Sequence, residues 1–114
     1  DGTMVHCTYN KAATNIGDYV TVGHNAIVHG CTIHNNVLVG MGAKLLDLCV
    51  VPDNVIIAAG SLVLERTVLE SGYLYAGAPV RKIKPLTEEH IKGIRQYADY
   101  YQMYSGWYRA EAEK

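Results

Sequence analysis

An aliphatic residue returns every six positions through the middle of this chain, and that period leaves few ways to fold. Ile16, Val22 and Val28 open the series. After one five-residue step, Ile33, Val39, Leu45, Val51, Ile57 and Val63 continue it. Two places before these aliphatics stand small or β-branched residues: Thr14, Val20, Ala26, Val37, Ala43, Cys49, Val55 and Ser61. Gly17, Gly23, Gly40 and Ala58 follow four of them. An amphipathic helix repeats at 3.6 residues and does not fit this period. An ordinary antiparallel sandwich is the weaker reading. Repetition on this scale predicts an all-β solenoid, a parallel β-helix in which three hexads make one triangular coil of about 18 residues. The aliphatics form an inward ladder, the small residues leave room for it, and glycines ease the corners.

The repeat assigns residues 1–80 to the prism, with Val5 in a core position and Thr3 two places before it. Asp1-Gly2 reads like the middle of a coil, so further coils are expected before it. After Val63 the repeat fades, and residues 64–78 read as a transition. Tyr73 to Val80 reads as the strand that leaves the prism. Residues 81–86, with the basic run Arg81-Lys82-Ile83-Lys84 between Pro79 and Pro85, read as a solvated linker. Residues 87–114 carry the C-terminal α-helix. Thr87 is its N-cap, and Glu88 and Glu89 lie in the first turn, where the helix dipole favours anions. Ile91, Ile94, Tyr97, Ala98, Tyr101 and Tyr104 recur at helical spacing, giving a face that packs on the prism or on a neighbouring subunit.

With 114 residues the chain is long enough for one domain. Its charged content of 18% is low for a small monomer and suits flat faces buried against copies of itself. A net charge of −1 gives no electrostatic footprint for nucleic acid. No segment is long and apolar enough to span a membrane. Three cysteines, Cys7, Cys31 and Cys49, are an odd and sparse set, which predicts a reducing, cytoplasmic setting. Cys49 fills an inward slot as a packed thiol, and Cys7 is a possible metal neighbour beside His6.

Three histidines stand where such a winding usually carries small or polar residues. His6 and His29 each follow an inward aliphatic, Val5 and Val28, so they occupy equivalent outward positions. His24 comes two places after Val22. His29 comes five positions after His24, which puts them on successive sides of the prism. His6 and His24 are 18 apart, about one coil, although Thr8 to Asn15 breaks the repeat. Prisms packed side by side could gather the three around one ion, in a trimer whose sites lie between subunits. Three neutral imidazoles leave a fourth position open, the arrangement of a catalytic zinc. Such a metal brings the pKa of its water towards 7. His34 and His90 read as surface residues.

The segments Asp1 to His6, Val22 to Cys31 and Val39 to Ala43 together resemble the γ-class carbonic anhydrase family. Tyr75-Ala76-Gly77-Ala78-Pro79 and the Leu86-Thr87-Glu88-Glu89 helix start resemble it too. The resemblance covers nearly the whole chain. It implies a left-handed β-helix and a homotrimer. It also implies one zinc, iron or cobalt ion at each subunit interface, and carbon dioxide or bicarbonate as substrate. By that resemblance His6, His24 and His29 are the metal ligands, His6 and His29 from one subunit and His24 from its neighbour. Tyr101 matches a tyrosine that contacts the metal-bound solvent, and Asp1 an acidic residue that supports the interface. The interface Arg and Asp of earlier coils, and a Gln just before the position of Asp1, are not matched. No carboxylate lies between Cys7 and Asn15, so the acidic proton-shuttle loop is absent from that stretch.

Two other functions suit a hexapeptide solenoid. One is an acyltransferase with a single histidine as general base and coenzyme A between subunits. The other is a non-catalytic trimeric scaffold that keeps its metal for assembly.

Overall fold

A computed structural model describes the backbone of residues 4–6 and the whole of residues 14–98. Short strands follow one another at nearly constant spacing, as the period requires. The first coil holds β1 (Met4–His6), and β2 (Asn15–Ile16) and β3 (Val20–Val22) come next. The second coil holds β4 (Ile27–His29), β5 (Thr32–Ile33) and β6 (Val37–Val39). The third holds β7 (Lys44–Leu45), β8 (Val50–Val51) and β9 (Val55–Ile57). Then come β10 (Leu62–Val63), β11 (Tyr73–Ala76) and β12 (Arg81–Pro85), followed by a helix, α1, over residues 88–98.

Each strand pairs in parallel with its counterpart one coil on, which makes three flat faces. The first face is β1-β4-β7-β10, the second β2-β5-β8, and the third β3-β6-β9-β11 with β12 at its edge. Val68 bridges Val50 and extends the second face. This is the left-handed hexapeptide β-helix, about three coils with a helix after them.

The inward ladder is the core. Val28, Ile33, Val39, Leu45, Val51, Ile57 and Val63 are all buried. At about 1.5–3 kcal/mol per buried aliphatic side chain, this column is the main stabilising term. Cys31 sits two places before Ile33, is buried beside the ladder, and belongs with the small-residue set.

The repeat does not fade after Val63. Leu69 and Tyr75 continue it at six-residue steps and are buried in the same core. The Tyr75 hydroxyl accepts a hydrogen bond from the Glu70 N–H at 2.7 Å, so its polar tip is satisfied while the ring fills the ladder position. Tyr73–Ala76 therefore stays in the prism: Leu74 and Tyr75 pair with Ile56 and Ile57.

Residues 81–85 correct the linker reading. They form β12, antiparallel to β11, with Tyr73 opposite Pro85 and Ala76 opposite Arg81. All five residues are exposed. Backbone pairing rather than burial holds this strand, and its lysines and proline suit a sheet edge. Lys82 also lies 4.4 Å from the Tyr73 ring centroid.

At each corner one residue per coil takes positive φ, and these residues stack in columns. Tyr19, Asn36, Asn54 and Gly72 turn the chain from the second face to the third. Asn25, Gly42 and Gly60 turn it from the third to the first, and Gly30, Leu48 and Arg66 from the first to the second. Asn and Gly suit this left-handed geometry, whereas Leu48 and Arg66 hold it against a steric cost.

Helix α1 starts at a reciprocal cap. Thr87 Oγ1 accepts from the His90 N–H at 3.1 Å, and the Thr87 N–H donates to His90 Nδ1 at 3.2 Å. His90 thus fills the place of the Glu or Gln of a capping box. Ile94 and Ala98 are buried, but Tyr97 is 48% exposed and lies off the packing stripe. The helix is fastened by Asn36 Nδ2 donating to the Ile91 carbonyl at 3.1 Å, and by Arg95, which donates to the Tyr19 hydroxyl at 3.0 Å. No helix among the described residues is long and apolar enough to cross a membrane.

Candidate metal centre

The histidines are placed by the strands that carry them. β1 and β4 are neighbours on the first face, with Met4 opposite Ile27, Val5 opposite Val28 and His6 opposite His29. The one-coil partner of His6 is therefore His29, not His24. The stretch between β1 and β2 lengthens the first coil, so a simple count of 18 picks the wrong histidine. His6 and His29 share one register position at the last residue of their strands.

His24 lies in the turn between β3 and β4, at the opposite end of the first face from His29, and is exposed. Five residues at about 3.3 Å each span up to ~16 Å along that side. Zinc–imidazole bonds are only about 2.0–2.1 Å long. His24 and His29 of one chain thus stand at opposite ends of one side of the prism. Among the described residues, no three His, Cys, Asp or Glu side chains stand close enough to hold a metal.

His29 is half-buried, and its Nδ1 is hydrogen-bonded to Oδ1 of Asp47. Asp47 lies one coil further on, in the corner from the first face to the second, and is buried with 7% of its surface exposed. Sequence reasoning passed it over, because an Asp in a tight corner looks like an ordinary turn residue. The signal was its spacing: Asp47 follows His29 by one coil length, so the solenoid stacks the two.

Cys31 and Cys49 are both buried and unoxidised. A hydrogen bond to Cys31 and then burial push the Cys49 thiol well above its ordinary range. That bond holds the Cys31 thiol below the usual value. A protonated core thiol is a poor metal ligand, so Cys49 packs rather than coordinates. Cys7, Tyr101 and Tyr104 lie outside the described residues. His34 is exposed at a corner, and His90 caps α1.

No protein-family model matches the chain. It is 53% identical over 107 residues to Protein YrdA of Escherichia coli, covering 89% of this chain and 58% of that protein. It is 40% identical over 119 aligned positions to Gamma carbonic anhydrase 1, mitochondrial, of Arabidopsis thaliana, covering 100% of this chain and 43% of the relative. This chain belongs to the γ-carbonic anhydrase-like hexapeptide-repeat family. The crystal structure of a hexapeptide transferase family protein from Anaplasma phagocytophilum superposes with a TM-score of 0.87 at 39% identity. That match covers 95% of this chain and 63% of that one. The chain spans about half the length of the curated relatives it matches.

Proposed function

We propose that this chain is a metal-dependent γ-carbonic anhydrase-like protein that interconverts carbon dioxide and bicarbonate at an interface between chains of a homotrimer. The observation that carries the reading is the register of β1 and β4, which sets His6 beside His29 on one face. His6 and His29 of one subunit and His24 of its neighbour hold the ion. The separation of His24 from His29 along a single prism supports a shared site.

The donor set fits zinc, iron or cobalt. Imidazole suits all three metals, and the Nδ1 of His29 is engaged with Asp47. The metal, when bound, supplies a water whose pKa is brought towards 7. The chain's own residues do the rest: the prism fixes the imidazoles, and the flat faces of neighbouring prisms exclude bulk solvent. Tyr101 is the residue assigned to contact the solvent at the metal. Tyr101→Phe should lower turnover at unchanged metal content.

The likeness to a hexapeptide transferase family structure supports a second reading, acyl transfer to a hydroxyl or amine acceptor. Metal content of anaerobically purified protein, paired with stopped-flow carbon dioxide hydration, separates the possibilities. About one metal per chain with hydration above the buffer rate supports the anhydrase. Metal without hydration points to a scaffold. No metal, with acyl transfer from a thioester donor, moves the transferase reading to the front.

A further inference from the structure

We infer that Asp47 is a positioning residue for His29: it fixes which ring nitrogen the imidazole presents for coordination and so tunes affinity for a divalent cation. This rests on the metal reading above. A neutral imidazole carries one N–H and one lone pair, and the partner of one nitrogen decides the state of the other. A carboxylate can only accept. Its bond to His29 Nδ1 therefore keeps the proton on Nδ1 and leaves the lone pair on Nε2, on the far side of the ring.

The carboxylate is itself held. Leu48, the next residue, donates its N–H to the Gly30 carbonyl of the coil before at 2.9 Å, and the Asp47 carbonyl accepts from the Arg66 N–H of the coil after at 3.0 Å. The corner is thus fixed from both sides, and Asp47 turns into it with little freedom left to lose. Its burial argues in the same direction. Taking a carboxylate out of water is costly, and a buried pair of this kind is a poor source of stability. The cost is explained if the pair orients a ligand, because carboxylate–imidazole contacts behind a metal set ring orientation and basicity.

Two measurements test this on the full chain. Long-range 15N-edited NMR of metal-free protein should find His29 as the Nδ1–H tautomer. Asp47→Ala should shift it towards Nε2–H, and Asp47→Asn, whose amide oxygen still accepts, should largely restore Nδ1–H. Chelator competition with Zn2+ and Co2+ should show affinity about 10–100-fold weaker in Asp47→Ala, with Asp47→Asn in between. If the alanine variant does not fold, Asp47→Leu fills the corner without an acceptor and takes its place. An unchanged tautomer together with unchanged affinity in the acceptor-free variant overturns the inference. If wild type binds neither Zn2+ nor Co2+, the metal reading fails. The tautomer comparison then still decides whether Asp47 orients His29.

Discussion

Two corners of the prism make the same turn and spend their polar side chains differently. At the corner from the second face to the third, side chains close on the backbone of the neighbouring coil. Asn35 Oδ1 accepts from the Asp18 N–H at 2.7 Å, and Asp53 Oδ1 accepts from the Asn35 N–H at 2.7 Å. Asn36 Nδ2 donates to Asn54 Oδ1 at 2.8 Å. These residues satisfy amides that the corner would otherwise expose, and Asp18, Asn35 and Asp53 are exposed. At the corner from the first face to the second, the buried carboxylate of Asp47 goes to an imidazole instead. A solenoid corner needs acceptors for its backbone. A corner that buries a carboxylate and gives it to an outward-facing histidine meets a demand other than folding.

Four substitutions would break or sharpen that contrast. The largest effect is expected at the histidine: His29→Ala should abolish metal binding while the prism still melts cooperatively, read by metal analysis beside circular dichroism. Gly17→Ala, at the opposite corner, should do the reverse. A Cβ there would meet the His34 backbone at 2.9 Å and the Asn35 side chain. We expect a loss of about 1–3 kcal/mol in denaturant unfolding at fixed protein concentration, with metal affinity unchanged. Asp53→Ala removes one acceptor of the backbone ladder and should cost about 0.5–1.5 kcal/mol, again without touching the metal. The smallest effect is a gain. Leu48 holds φ 62° and is 43% exposed, so Leu48→Asn should raise stability by up to about 1 kcal/mol. Equal effects of Asp53→Ala and Asp47→Ala on metal affinity would erase the distinction between the corners.

The fold was legible because one physical demand, a constant coil length, writes itself into the sequence as a period. Ile33 to Val63 could be read directly for that reason. Tyr75 escaped the series because an aromatic residue stands where the pattern is aliphatic, and only its bond to the Glu70 N–H shows how the hydroxyl is accommodated. β12 escaped because Arg81–Pro85 has no buried face to produce an alternation; its pairing with β11 is a property of the backbone. The equivalence of His6 and His29 was readable from the aliphatic before each. Their stacking as neighbours was not, since the long first coil hides it from a count of residues. Asp47 was hidden for a related reason: its partner is one coil away, and only the winding brings them together.

The shared site is tested most directly by mixing two defective chains. His24→Ala keeps His6 and His29, while His29→Ala keeps His24. If ligands come from two subunits, neither variant alone should bind Zn2+ stoichiometrically, and co-refolding the two should restore binding in the mixed trimers. Wild type that binds Zn2+ while the co-refolded mixture recovers none, or a His24→Ala chain that keeps full occupancy alone, would contradict a site shared between chains.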